Sequence, residues 1–170
     1  MNEKYFPSLI LDSVTDITAD ILKENNIKGL ILDIDNTLVP NHVTEADETL
    51  LEWIEKMKYA GIKISIVSNA SKKRVHTFNN KLNLYAVHRA FKPSVRAFNK
   101  ASRLMGLDNK NVAVVGDQIF TDIVGGNSAG MFTILVKPID KREEWFVRLK
   151  RKFEKRILRQ YAERLKREDK

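Results

Sequence analysis

The sequence has no cysteine, which excludes a disulfide framework and any thiolate metal site. Histidine is scarce, and the three present, His42, His76 and His88, share no metal-ligand spacing. Long hydrophobic runs are also missing. No apolar stretch approaches the ~18 residues that a membrane span needs, and the longest candidate, residues 29–39, carries Asp33 and Asp35 in its middle. The opening Met1-Asn2-Glu3-Lys4-Tyr5-Phe6-Pro7 has no basic region followed by a long apolar core, which argues against a cleaved signal peptide. No internal repeat or low-complexity linker interrupts the chain. These absences fit a cytoplasmic protein. What is there is 170 residues, 43% of them hydrophobic, enough for one domain at the usual ~100–200 residues each.

The net charge is +8, and it is unevenly placed. Residues 141–170 hold thirteen Lys and Arg against six Asp and Glu, while the rest of the chain is close to neutral. The basic character therefore belongs to one segment.

Short apolar runs alternate with helical periods, a pattern that predicts βα units and a mostly parallel sheet. Residues 29–33 read as a buried strand from their continuous apolar run. Residues 62–67, 112–115 and 132–136 read as further strands, with a short one near 86–90. Helices are expected over 13–26, 44–60, 71–82 and 94–105, and a short one after Asp117 that ends near Ala129-Gly130. Ser13 and Thr44 are the expected N-caps of the first two. Ala46, Leu50, Trp53, Ile54 and Met57 form an apolar face closed by Gly61.

In open parallel sheets, ligands sit outside the carboxyl ends of the strands. Asp33 and Asp35 leave the first of these strands, Ser68 and Asn69 the second, and Asp117 the fourth, while Lys92 follows the short third. The layout gathers them at one edge. Two aspartates two apart at a strand end can divide labour: one attacks, and the other trades protons with the leaving group and then with water. A phosphoryl group in transfer carries charge that carboxylates alone would repel, so a cation is needed, and Mg²⁺ suits a few carboxylates plus substrate phosphate. Asp117 supplies a third carboxylate and Lys92 a fixed positive charge. The Ser68 hydroxyl, nearby backbone N–H groups and the loop Asp33-Ile34-Asp35-Asn36-Thr37 can hold phosphoryl oxygens. The plainer alternatives are a turn pair for Asp33 and Asp35, a strand-end serine, a helix start at Asp122, and a solvated helix start for Lys72, Lys73 and Arg74. Asn127 reads equally as a local cap for the Gly125-Gly126 break.

The run Asp33-Ile34-Asp35-Asn36-Thr37-Leu38 resembles the first motif of the haloacid dehalogenase (HAD) superfamily. Ser68-Asn69 resembles its second, Lys92-Pro93 its third, and Gly116-Asp117 with Asp122 its fourth. The four stand in order over residues 33–122. The resemblance implies a Rossmann-like α/β fold. It implies Asp33 as nucleophile and Asp35 as general acid/base, with Ser68, Asn69 and Lys92 around the phosphate. It further implies Mg²⁺ on the side chains of Asp33 and Asp117 and the Asp35 backbone carbonyl, with Asp122 linked to the metal. The second aspartate favours a phosphomonoesterase over a dehalogenase. Ser68 lies 35 residues after Asp33, and Lys92 lies 24 after Ser68, spans already filled by one helix and one strand each. No cap domain fits, so an open site and a large substrate are expected. Within the superfamily the chain is similar to the capless YqeG family through residues 31–40 and 121–133. That family's relatives include phosphatidylglycerophosphate phosphatases. The implied substrate is then phosphatidylglycerophosphate, converted to phosphatidylglycerol.

In the basic segment, Phe146, Leu149, Phe153, Ile157, Tyr161 and Leu165 recur at three- and four-residue steps, which places them on one helical face among Lys and Arg. Such a helix suits an anionic membrane surface, and equally nucleic acid or docking on the domain itself. The expected organisation is a HAD-like phosphatase domain over 1–140 and a basic amphipathic helix over 141–170. A lipid head group at the inner face of a membrane is the expected partner. A protein or nucleic-acid phosphatase with the same site, or a nucleic-acid- or ribosome-associated binding protein, are the alternatives.

Overall fold

The computed structural model describes residues 3–140 and 145–168, with side chains from 149 to 166 in the last helix. Six parallel strands form one sheet in the order β1-β6-β5-β2-β3-β4. They are β1 (Leu9–Leu11), β2 (Gly29–Leu32), β3 (Lys63–Val67), β4 (Tyr85–Val87), β5 (Val112–Gly116) and β6 (Phe132–Val136). β2 lies at the centre, paired with β3 through Leu32↔Ile66 and with β5 through Leu32↔Val115. The chain runs outward from β2 through β3 to β4, then restarts on the other side with β5. This reversal is the switch point at which open α/β sheets place ligands, and it brings the ends of β2 and β5 side by side.

Side chains alternate across a strand, so each central strand feeds two cores. Leu30, Leu32, Ile64, Ile66, Ala113 and Val115 point into one, beneath α1 (Ala19–Glu24), α2 (Glu48–Tyr59) and α3 (Lys72–Asn79). Ile31, Val67, Val112 and Val114 point into the other, where Phe98, Ala101 and Met105 of α4 (Val95–Met105) meet them. Both faces are covered, which is why β2 and β5 are apolar throughout.

Three elements differ from expectation. The helix expected over 13–26 is broken. Ser13 caps a single 3₁₀ turn at Val14–Asp16, the chain then extends at Ile17, and Thr18 caps α1 by accepting from the Ile21 N–H at 3.2 Å. Two competing caps and a β-branched run disfavour one continuous helix, and Ile17 drops into the core with its carbonyl on the Trp53 indole N–H at 2.9 Å. α2 begins later than expected, because the Asp47 carboxylate, rather than Thr44, accepts from the Leu50 N–H at 2.8 Å. β1 was not foreseen: it is a three-residue edge strand against β6, too short to show a period.

A π-helical turn (Ile119–Ile123) runs into the short α5 (Val124–Ser128). The last helix, α6 (Trp145–Glu168), packs back on the domain. Ile157 is buried with Ile119, Ile123 and Leu135, Tyr161 meets the Phe6 ring at 5.5 Å, and Arg164 pairs with Glu3 at 2.8 Å. The expected apolar stripe is thus divided: Ile157 faces inward, while Leu149, Phe153 and Leu165 stay exposed. Phe146 of that stripe lies outside the described side chains. Among the described residues no helix is long and apolar enough to cross a membrane.

Candidate active site

The ladder of β2 continues one residue past the strand, where the Asp33 N–H donates to the Val115 carbonyl at 3.0 Å. The chain then turns sharply. The N–H groups of Thr37, Leu38 and Val39 converge on the Ile34 carbonyl, and Asn36 takes a left-handed φ of 64°, a conformation that Asn tolerates better than most residues. The Asn36 side chain is tied to the segment after β6, donating to the Asp140 carbonyl at 2.9 Å and accepting from its N–H at 2.7 Å. Asp33 is therefore carried on a braced turn. Asp117 follows β5 directly, Ser68 follows β3, and Lys92 lies on the connection from β4 to α4.

These ends converge. The Lys92 ammonium donates to Asp33 Oδ1 and Asp122 Oδ1, both at 2.6 Å. The Thr37 hydroxyl lies 3.2 Å from Asp33 Oδ2 and from Asp117 Oδ1, able to donate to either. Asp33, Asp117 and Asp122 each offer a carboxylate oxygen within 4.8 Å of the others, and all three residues are buried. Asp122 reaches this point from the π-helical turn because Gly116 leaves room: a Cβ there would stand 2.2 Å from the Asp122 Cγ.

Burying three carboxylates together is costly unless cations compensate. Burial pushes Asp33 up to about 7, opposed by Lys92 and reinforced by Asp122 and Asp117. Burial likewise pushes Asp117 up to about 6, reinforced by Asp122 and opposed by Arg151. Burial alone would lower the Lys92 ammonium, but Asp122 and Asp33 outweigh it and hold the ammonium above its usual range. The donors are hard oxygens in excess of the positive charge, and such a set fits a divalent cation of the Mg²⁺ type. Asp33, Asp117 and Asp122 are the side chains that would hold it.

Asp35 stands apart from this cluster. Its side chain is a third exposed, and Oδ1 accepts from Arg74 Nε at 3.2 Å and Nη2 at 2.9 Å. Arg74, expected to be a solvated helix start, is instead half-buried over the Phe78 ring at 5.7 Å. Ser68 is buried, and its Oγ accepts from the Ala70 N–H at 3.1 Å, leaving its own proton to donate. Asn69 spends its oxygen on the Lys92 N–H at 2.7 Å, which fixes the Lys92 backbone. Asn127 lies away from the cluster: its amide donates to the Lys4 and Phe6 carbonyls and tethers the N-terminal segment.

The sequence did not reveal Arg151. From α6 its guanidinium donates to the Asp117 carboxylate and to the Asp117 carbonyl. It also pairs with Glu154 at 2.9 Å. Glu154 is buried and accepts from the Ile119 N–H at 2.8 Å. The one available signal was the i, i+3 spacing of Arg151 and Glu154, which puts the pair on one side of the helix.

Comparison with known proteins points to phosphatases. A family model described as "Mitochondrial PGP phosphatase" matches residues 1–140. "Probable phosphatase YqeG" of Bacillus subtilis (strain 168) is 43% identical over 159 residues, covering 93% of this chain and 92% of the relative. "Phosphatidylglycerophosphate phosphatase 1, chloroplastic/mitochondrial" of Arabidopsis thaliana is 28% identical, over 91% of this chain and 47% of the relative. The cobalt-bound deoxy-D-mannose-octulosonate 8-phosphate phosphatase of Haemophilus influenzae superposes with a TM-score of 0.51 at 18% identity, over 56% of this chain and 61% of that one, a likeness of fold. The chain belongs to the PGP phosphatase family and is a hydrolase of phosphate monoesters built on a capless HAD fold.

Proposed function

We propose that the protein is a Mg²⁺-dependent phosphomonoesterase that converts phosphatidylglycerophosphate to phosphatidylglycerol at an anionic membrane surface. The observation that carries this reading is the bridge of Lys92 between Asp33 and Asp122, beside Asp117, with Asp35 two residues further on at the rim. Residues 1–140 carry the chemistry, and the basic segment 141–170, which contains α6, is appended to them.

Asp33 Oδ attacks the phosphorus, the bond from phosphorus to the glycerol oxygen breaks, and the Asp35 carboxyl gives its proton to that departing oxygen. Lys92 and the Ser68 hydroxyl hold the equatorial oxygens as charge builds on them. Thr37 and Asn36 fix the turn that aims Asp33, Asn69 holds Lys92, and Arg74 orients the Asp35 carboxylate. In the second step Asp35 takes a proton from water. The hydroxide attacks the phosphorus of the aspartyl-phosphate, and Asp33 and inorganic phosphate are released. A bound Mg²⁺ would supply charge compensation between the Asp33–Asp117–Asp122 carboxylates and the phosphate.

The lipid substrate is supported by the family match and by a site with no cap over it. The test is phosphate release from phosphatidylglycerophosphate in phosphatidylglycerol liposomes, with Mg²⁺ and with chelator, beside Asp33→Asn. Metal-dependent release lost in the variant is expected. Metal-dependent hydrolysis of an aryl phosphate without release from lipid would move the substrate to protein or nucleic-acid phosphates.

A further inference from the structure

The rim of the site carries a surface that neither the fold nor the chemistry uses. The connection from β4 to α4 delivers Lys92 inward, and one residue earlier it leaves Phe91 79% exposed. Arg89 and Phe91 both hold left-handed backbones, with φ of 47° and 52°, uncommon for such residues and costly. The segment is nevertheless fixed. The Arg89 N–H donates to the Ala70 carbonyl at 3.0 Å, the Ala90 N–H to the Ser68 carbonyl at 3.0 Å, and the Ser94 N–H to the Phe91 carbonyl at 3.0 Å. A ring is thus held outward on a braced backbone, where it contributes little to the core.

The charge around Phe91 has one sign. The ring stands between two grooves. One is lined by Asn69, Arg89 and Lys92, the other by Arg89, Ser94, Arg96 and Lys100 among others, and neither contains an acidic residue. Arg89, Arg96 and Lys100 are exposed, and among the described residues none of them is ion-paired. On α6, Arg151 and Arg164 are engaged with Asp117, Glu154 and Glu3, while Lys150, Lys152, Lys155, Arg156 and Arg159 are also without an ion pair among the described residues; what sets the rim apart is its groove beside Lys92.

We propose that this rim, residues 88–100, is the face that docks on an anionic lipid bilayer, with Phe91 entering the acyl boundary and Arg89, Arg96 and Lys100 meeting lipid phosphates. An apolar tip among unpaired cations complements a surface that is anionic above and apolar beneath. Lys92, which lines one groove, contacts Asp33 at 2.6 Å, so docking on this face would hold a lipid head group beside the site while its acyl chains stay in the membrane. This rests on the lipid reading of the site and goes beyond it by assigning membrane contact to the rim rather than to α6.

The absence of cysteine makes a direct test available. Phe91→Cys and Phe153→Cys, each carrying one environment-sensitive fluorophore, are titrated with phosphatidylglycerol-containing vesicles and with pure phosphatidylcholine vesicles. A blue shift at position 91 with the anionic vesicles alone, and none at 153, is expected. Sedimentation should show the double variant Arg96→Gln/Lys100→Gln binding anionic vesicles about thirtyfold more weakly, from the ordinary worth of two cations at such a surface. A shift at 153 equal to or larger than that at 91, or unchanged binding by the double variant, overturns the proposal. So does an oligonucleotide that shifts the fluorophore at 91 where vesicles do not. Aryl-phosphate hydrolysis in the same samples keeps the two readings apart. A wild-type rate in the double variant shows the site intact, whereas no hydrolysis by any form defeats the phosphatase reading without touching the vesicle result.

Discussion

Replacing Arg151 by Met should tighten the binding of a divalent cation. The Arg151 guanidinium sits on the Asp117 carboxylate, one of the three side chains that would hold the ion. Arg151 holds Asp117 Oδ2 and the Thr37 hydroxyl approaches Oδ1, so a guanidinium and a metal cation would draw on the charge of one carboxylate. Arg151 is 16% exposed and the Asp117 side chain 0%, so solvent screens the pair weakly. A hydrogen bond to a charged group contributes about 1.5–3 kcal/mol, which is roughly 10- to 150-fold in an equilibrium constant. If cation binding sacrifices this contact, Arg151→Met should bind Mn²⁺ or Mg²⁺ more tightly by that factor, and Met keeps the helix propensity of the position. Arg151 also opposes the burial that raises Asp117, so its loss favours protonation of Asp117 and masks part of the gain near neutrality. Calorimetric titration at pH 8 avoids that competition. An unchanged or weaker affinity there would refute the claim that guanidinium and cation contend for one carboxylate.

Three further predictions concern the same cluster. Asp33 at about 7 and Asp117 at about 6 both lie above the ordinary 3.8, so between those values the folded protein binds more protons than the unfolded one. Metal-free stability should therefore fall as pH rises from about 4 to 7, by a few kcal/mol at most, and saturating Mg²⁺ should flatten the trend in thermal melts. Lys92, raised above 10.5 in the fold, contributes stability present below that pH and lost only above it. Lys92→Met leaves Asp33 and Asp122 buried without their shared cation. Turnover should drop by about 10²–10³, and denaturant melts should show a loss on the order of 3–5 kcal/mol, partly recovered on lowering the pH. Gly116→Ala puts a methyl 2.2 Å from the Asp122 Cγ. It should weaken metal binding in calorimetry and cost about 1–3 kcal/mol in denaturant melts.

Much of this site was legible because buried parallel strands announce themselves. Leu30-Ile31-Leu32 and Val112-Ala113-Val114-Val115 are continuous apolar runs, and a carboxylate directly after such a run has few structural uses. What the sequence could not show was contact across distance. Arg151 stands among twelve other Lys and Arg of its segment, and nothing local distinguishes the one that turns inward. Arg74 follows two lysines at a helix start, and its place over Phe78 depends on the packing of α3. The caps were misassigned where two candidates compete, as with Thr44 and Asp47, because local spacing alone does not decide which carboxylate or hydroxyl finds an N–H. The strand order was equally out of reach, since the position of β5 beside β2 rather than beside β4 is a property of the whole sheet.

The most direct measurement is acid-quenched turnover of phosphatidylglycerophosphate by the wild-type protein and by Asp35→Asn, which loses the acid of the first step and the base of the second, followed by mass mapping of the phosphorylated peptide. Nucleophilic attack by Asp33 predicts one phosphoryl group on Asp33, formed with Mg²⁺ and absent with chelator. Phosphate release by the wild-type protein with no acyl-phosphate on Asp33, or with the label on another residue, would contradict it.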